Sequence, residues 1–537
     1  MYYNIAMDTS NEVLKKNSAL NLPPLPLDVQ SFKKIARTQF LYIDKTGYIA
    51  RLINSQLTYF FLSRPRRFGK SLLVSTMKEI FNCSKELFKN LRVYNEIQWQ
   101  PYPVIHFDFS LIAVDETIPV KKALADEVDK ISRDYLLPVS EGNHKSKFRY
   151  LIENLAKKEN KPVVILIDEY DKFIIDCIDD DKQRESNRSQ LKDFFSVLKG
   201  SGDFIRFVFI TGISRFSRVS IFSDLNNLVD LTFKPEYAGI AGYTQEELLH
   251  YFDGFLHRFT EQKGYSWEFL LDQIGKWYNG YSWDGMTRVY NPYSILKLFD
   301  ESGFGDHWYS TGTPTFLIRA IRDRKIQLRE LDHIKVKKST LENMEVTRLK
   351  LIPLLFQTGY LTMIEKVTCP PALEKFILAY PNRDVRYSFL NHLLEEFSPE
   401  NPRLIDNISS AVLENRIGDA LENMKGIFAA VPYNNFDPAK EASYHAVIHV
   451  IFYLILDNIG SEIQTNHGRI DLVIETDKRV YIFEFKMDNA GKALEQIHEK
   501  KYGEKYRGKG KDLVLVGVSF SKEERNIKDW IIEKSKR

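Results

Sequence analysis

Cysteine is scarce: Cys83, Cys177 and Cys369 are the only three in 537 residues. An odd, scattered set forms neither a disulfide framework nor a zinc-ligand pattern, and it suits a reducing compartment. Long apolar runs are also missing. The longest, 446–456, is interrupted by His449 and is too short to span a bilayer, and the first twenty residues contain no apolar stretch long enough for a secretory signal. These absences predict a cytoplasmic protein with no membrane contact. Net charge is only +3, so any nucleic-acid footprint must be local. There is no internal repeat and no low-complexity tract. What remains is ordinary globular composition, 44% hydrophobic and 27% charged, in a chain long enough for two or three domains.

The stretch around which the chain is organised is 58–82, TYFFLSRPRRFGKSLLVSTMKEIFN. An apolar, aromatic run is followed by a basic loop and then by Leu72, Leu73, Thr76, Met77, Ile80 and Phe81 at helical spacing, which predicts strand, loop, helix. In a phosphate-binding loop the amides at the helix start cradle phosphate, a lysine neutralises it, and a hydroxyl ligates Mg²⁺. Gly69, Lys70 and Ser71 fill those places, preceded by Arg67 and Phe68. The general pattern opens with a glycine, and here Arg64 stands instead. Arg64, Arg66 and Arg67 either reach nucleotide or a neighbouring element, or form a solvated charge run.

Such a loop requires a second strand ending in acid. Residues 161–172, KPVVILIDEYDK, read as a strand buried on both faces. Asp168 at its carboxyl end is placed to hold the Mg²⁺ shell, and Glu169 to polarise the attacking water. Alone, Asp-Glu after a strand is an ordinary loop opening; paired with the upstream loop it acquires a chemical reading.

These stretches, with FLYIDKTGYIARLI at 40–53 and FITGISRFSRVSIFSDLNNLVDLT at 209–232, resemble bacterial AAA-ATPase-like proteins that carry a C-terminal PD-(D/E)xK nuclease-like domain. The resemblance spans nearly the whole chain. That family commonly has R-P-R-R-F-G-K-S in the loop, so Arg64 matches the family. The resemblance implies that 40–53 covers the nucleotide base, where Asp44 and Lys45 either touch nucleotide or form a surface turn. PVIHFDFS (103–110) and FIRFVFIT (204–211) read as further buried strands. Thr211 ends the second, where related ATPases place a polar residue that senses the γ phosphate. Arg215 and Arg218 follow; either one stabilises the transferring phosphoryl group or both are surface arginines.

From about residue 237 the character changes. Thr244 with Glu246 and Glu247 signals a helix start, and aromatic clusters follow at 277–283, 289–296 and 307–314. Such aromatics stack bases in some proteins, but at helical spacing they read as core. The resemblance makes this region a mostly helical lid or middle domain.

The second chemical centre lies near the C-terminus. An apolar helix is predicted over 441–456, two strands within 461–476, a third over 479–488, a helix from about Asn489, a strand over 512–521, and a closing helix around Trp530. The order α, β, β, β, α, β is that of the PD-(D/E)xK core. Asp471 follows Gly468, Arg469 and Ile470, while Glu484 and Lys486 lie two apart and so share a strand face, with Tyr481, Phe483 and Phe485 on the other. Two carboxylates supply hard oxygen ligands for Mg²⁺, and the lysine orients water and offsets charge. E-x-K alone is a weak signal, because it also describes a solvated strand face. Gln496 resembles the family's glutamine near the metal-bound water; Glu441 and His445 are lesser candidates. In HEKKYGEKYRGKGK (498–511) lysines and Arg507 interleave with Tyr502 and Tyr506, either as a nucleic-acid footprint or as a solvated loop.

The fold class expected is α/β: an N-terminal tail (1–26), a P-loop AAA-ATPase-like domain with a parallel sheet (27–236), a helical lid (237–385), a helical connector (386–430) and a PD-(D/E)xK nuclease-like domain (431–537). The expected ligands are ATP and Mg²⁺, with Ser71, Asp168, Asp471 and Glu484 as metal ligands. The expected partner is nucleic acid, DNA before RNA, and a homo-oligomer is allowed. The leading activity is nucleotide-regulated, metal-dependent nucleic-acid cleavage. The alternative is a switch ATPase whose C-terminal domain binds nucleic acid or a protein without cutting.

Overall fold

The computed structural model describes residues 22–114, 118–177, 180–215, 221–222, 224–308, 333–342, 351–369, 373–389, 404–430, 444, 448, 451–452, 459–465, 468–476, 478–506 and 510–535. They fall into two compact units, one reaching to residue 385 and one from residue 386 onward.

In the first unit α1 (Thr46–Asn54) precedes β1 (Tyr59–Ser63), and α2 (Lys70–Phe81) follows it. Strands β2 (Val104–Asp108), β3 (Val163–Asp168), β4 (Ile205–Gly212) and the short β5 (Val229–Asp230) complete a five-stranded sheet in the order β2-β3-β4-β1-β5. Every pairing is parallel. The cause is visible in β3, whose six residues are all buried, as expected of a strand covered on both faces. On one face Phe107 meets Phe148 of α4 (His144–Glu159) and Phe194 of α5 (Asp181–Gly200), with α3 (Val120–Asp134) packed beside them. On the other, Phe81 of α2 meets Phe207. Each buried Ile, Leu or Phe side chain contributes about 1.5–3 kcal/mol, against about 1–2 kcal/mol per residue for ordering the backbone. Cover on both faces therefore decides the balance.

The same unit continues through α6 (Gln245–Tyr251), α7 (Asp253–Lys263), α8 (Trp267–Tyr278) and α9 (Pro292–Glu301). Thr244 and Glu247 close a capping box at the start of α6, as the sequence predicted, and Asn291 caps α9 with Pro292 at its first position. Tyr278, Tyr281, Trp283 and Tyr290 are buried, so the aromatic clusters are core here. The region is less purely helical than the resemblance implied. After α10 (Leu351–Thr358), strand β8 (Leu373–Ala379) pairs with β7 (Thr362–Cys369) on one side and β6 (Ile334–Lys337) on the other, in an antiparallel sheet. Phe376 and Leu378 alternate onto its buried face. Residues 22–26, read from the sequence as a tail or docking arm, are docked: Leu22 and Leu25 pack on the core built by Phe252, Phe255 and Phe299, and Pro24 accepts from the Leu41 amide.

The second unit contains α11 (Leu404–Leu413) and α12 (Ile417–Ala430), then β9 (Ile459–Thr465), β10 (Gly468–Glu475), β11 (Arg479–Met487), α13 (Ala490–Glu499), β12 (Asp512–Ser521) and β13 (Asn526–Ser535). The sheet order is β13-β12-β11-β10-β9, with β11 and β12 parallel and the other pairs antiparallel. The predicted connector helices are part of this unit's core: Ile408, Leu421, Met424 and Phe428 pack with Tyr481, Phe483 and Phe485. The closing helix predicted around Trp530 is instead strand β13, with Trp530 opposite Val518. Pairing satisfies an edge of β12 that would otherwise present bare backbone groups. Most of the predicted 441–456 helix lies outside the described residues, but Tyr444, Ile448, Ile451 and Phe452 are helical and buried in the same core.

Candidate functional site

The loop between β1 and α2 turns on two left-handed residues, Arg67 (φ 66°) and Gly69 (φ 82°). A Cβ at Gly69 would meet nothing within 4 Å, so the glycine serves backbone conformation at the start of α2 rather than packing. Lys70 is buried and donates to the Pro65 carbonyl at 2.9 Å. Burial lowers its pKa, opposed by Glu169, Asp168 and Asp171. Phe68 is wedged edge-on against Tyr281 and Trp283.

Arg64, at the position of the usual first glycine, is turned into the protein interior. It is fully buried, donates to the carbonyls of Ser63, Thr232 and Tyr237, and lies 3.9 Å from the centre of the Trp283 ring. Burial pulls its pKa down to about 9, with Asp230 and Asp284 acting in the other direction. Of its two sequence readings, the structure selects contact with a neighbouring element. Arg67 pairs with Asp28 at 2.5 Å and stacks 4.2 Å over Tyr293.

Asp168 ends β3 buried beneath the loop and accepts from the Ser71 hydroxyl. Burial raises its pKa to about 6; Ser71 and Lys70 pull it down, while Glu169 and Asp108 push it further up. Glu169 follows in a left-handed conformation (φ 50°) and lines the cavity. That cavity, about 560 Å³, gathers Arg66, Arg67, Phe68, Gly69, Lys70, Ser71 and Glu169. The same lining includes apolar residues of the 40–53 segment and of the helical region after residue 237, among them Leu41, Ile43, Tyr243, Pro292 and Leu296.

Not every predicted residue joins this group. Thr211 is buried and its hydroxyl donates to the Leu62 carbonyl at 2.8 Å, outside the cavity lining. Arg215 is engaged by Asp230 and lies 5.2 Å from the Phe233 ring centre, also outside the lining. Lys45 lines the cavity, yet its amine is committed to Glu247 and to the Gly239 carbonyl. Asp44 caps Thr46 and accepts from the Arg92 amide. Arg218 lies outside the described residues. A residue not singled out beforehand, Asp171, accepts from the Ser214 and Ile213 amides and so ties the exit of β4 to β3. Its signal was the second aspartate in DEYD.

In the second unit the antiparallel register that sets Leu472 opposite Phe483 brings Asp471 opposite Glu484, so both carboxylates share a face. Asp471 accepts from the Phe485 amide at 3.0 Å. Glu484 is only 1% exposed; Lys486 lies 3.4 Å from its Oε1, and Gln496 of α13 donates to the same oxygen. Thus Asp471, Glu484, Lys486 and Gln496 come together, while Tyr481, Phe483 and Phe485 bury the opposite face. Tyr502, which the sequence left either to stack bases or to sit in a solvated loop, is buried and hydrogen-bonds Gln496. Tyr506 is buried as well. Lys500, Lys501 and Lys505 are exposed; Lys511 pairs with Glu475 at 2.8 Å. Arg507, Lys509, Glu441 and His445 lie outside the described residues. Among the described residues no group of three or more His, Cys, Asp or Glu forms a metal cluster, and no helix is long and apolar enough to cross a membrane.

A parallel sheet with a phosphate loop and strand-end acids defines a P-loop ATPase, and the mixed sheet with its paired acids defines a PD-(D/E)xK domain. The comparisons agree. A family model described as a predicted AAA-ATPase matches residues 26–222, and one for the PD-(D/E)XK nuclease superfamily matches 439–530. The chain is 32% identical over 523 residues to an "Uncharacterized protein in vnfD 5'region" of Azotobacter chroococcum mcd 1, covering 95% of this chain and 98% of that one. It belongs to the AAA-ATPase-like proteins with a C-terminal PD-(D/E)XK nuclease superfamily domain. Domains of these two kinds generally use nucleotide and divalent metal ions.

Proposed function

We propose that the protein binds and hydrolyses ATP in the Lys70 cavity and cleaves phosphodiester bonds, in DNA before RNA, at the Asp471–Glu484 face, with nucleotide state modulating cleavage. The observation that carries the reading is the convergence of Asp471, Glu484, Lys486 and Gln496 from two strands and a helix onto one face. The donor set fits magnesium: two hard carboxylates side by side, one almost wholly buried, form an environment that a divalent cation neutralises. At both sites a bound magnesium ion would supply Lewis-acid activation and charge neutralisation. In the second unit Gln496 fixes the Glu484 carboxylate, and Lys486 orients water and offsets charge as the phosphodiester is attacked. In the first, the amides at the start of α2 and Lys70 hold phosphate, Ser71 and Asp168 hold the metal, and Glu169 takes the proton of the attacking water.

The test incubates the full chain with linear, circular, single-stranded and branched DNA and with RNA, with and without Mg²⁺ and ATP. Magnesium-dependent cleavage is expected, abolished by Asp471→Ala or Glu484→Ala with ATP hydrolysis nearly intact. Robust cleavage by the Asp471 variant removes this site from consideration. Binding without cleavage of any substrate favours the switch reading.

A further inference from the structure

The first unit carries a pair of polar residues with no part in the chemistry above. Strands β2 and β3 run parallel in register, so Asp108 stands beside Asp168 at the carboxyl edge of the sheet. Neighbouring strands lie about 4.8 Å apart, and like charges set side by side are unfavourable unless a cation is shared. Asp108 is only half-buried, and its Oδ1 accepts twice from Ser110, from the amide at 2.9 Å and from the hydroxyl at 2.6 Å. Ser110 lines the same cavity as Lys70, Ser71 and Glu169. A serine hydroxyl has one hydrogen. With that hydrogen given to Asp108, Ser110 offers the cavity an oxygen that can only accept. Groups that donate to such an oxygen are the waters magnesium retains when it is bound through one or two protein ligands and substrate phosphates.

We propose that Asp108 and Ser110 are positioning residues for the water shell of the divalent cation that accompanies the nucleotide: Ser110 accepts from a metal-bound water, and Asp108 orients Ser110 and adds negative charge beside Asp168. The inference rests on the nucleotide reading of the cavity. The competing role is local, because the Asp108 carboxylate also caps the short turn at Phe109–Leu111. Asparagine separates the two roles, since it keeps an acceptor for the Ser110 amide and hydroxyl while losing the charge.

The experiment titrates a non-hydrolysable ATP analogue calorimetrically into the full chain, in EDTA and across a magnesium series. Wild type is expected to gain affinity with magnesium. Asp108→Asn and Ser110→Ala are each expected to raise the magnesium concentration for half of that gain by about 10- to 100-fold, the usual cost of losing an outer-shell partner. Both should keep wild-type affinity in EDTA and a wild-type thermal midpoint. Should Asp108→Asn not fold, Ser110→Ala decides by the same criterion. Wild-type magnesium dependence in the folded variants overturns this inference and leaves the nucleotide reading standing. No magnesium effect on binding by wild type also overturns the inference alone, whereas no binding of the analogue by wild type overturns both.

Discussion

Lys70 and Glu169 differ in what their loss removes. The Lys70 ammonium is buried at the head of α2, so Lys70→Ala deletes a cation that solvent cannot replace. Weakened ATP binding is expected, read by equilibrium titration. Glu169→Gln keeps shape and hydrogen bonding but cannot take a proton; binding should persist while hydrolysis falls on the order of 10²- to 10⁴-fold. Hydrolysis at the wild-type rate would reassign the base. That both line one cavity was legible because the loop and the acidic strand end are local patterns, fixed by neighbours in sequence. The places of Thr211 and Arg215 were not. Their hydroxyl and guanidinium are claimed by Leu62 and Asp230, partners that only strand pairing brings near. Arg64 illustrates the same limit: the sequence marks it as a departure from the general loop, yet Trp283, which gives the departure its physical reason, lies more than two hundred residues away.

A single missing side chain sets the distance between α13 and its sheet. Gly517 of β12 pairs with Glu484 of β11, and a Cβ there would come within 2.5 Å of the Ala490 carbonyl and 2.8 Å of the Leu494 amide. Both obstacles are helix backbone, which cannot rotate away. The bare glycine therefore lets α13 descend until Gln496 reaches Glu484. Gly517→Ala is expected to lift the helix, costing at least about tenfold in cleavage through a misplaced Gln496 while far-ultraviolet dichroism stays unchanged. Full cleavage in this variant would show that the helix approach is not needed. Strand β11 itself was readable from its alternation, Glu484 and Lys486 on one face and aromatics on the other. Strand β13 was not, because Trp530, Ile531 and Ile532 form a short apolar run compatible with either period, and only the open edge of β12 decides between them.

Two chemistries in one chain matter to each other only if they share a free energy. A ligand shifts an equilibrium by no more than its differential affinity for the states involved, so nucleotide must favour one arrangement of the protein if it is to change cleavage. We expect the cleavage rate to change on adding ATP or its non-hydrolysable analogue, and Lys70→Ala to erase that change while leaving a basal rate. By linkage, DNA should alter ATP affinity by the factor by which ATP alters DNA affinity. Equal cleavage and equal DNA affinity with and without nucleotide, on one active preparation, would leave the domains merely tethered. The Lys70 cavity has a practical corollary of its own. Part of its apolar lining, Tyr243, Pro292 and Leu296, lies beyond residue 222, where the ATPase family match stops. Strand β5 also lies past that point. A fragment cut at the family boundary would strip the Phe68 ring of Tyr281 and Trp283 and leave β1 as an unpaired edge, inviting aggregation. The smallest piece worth expressing for nucleotide work extends to residue 385.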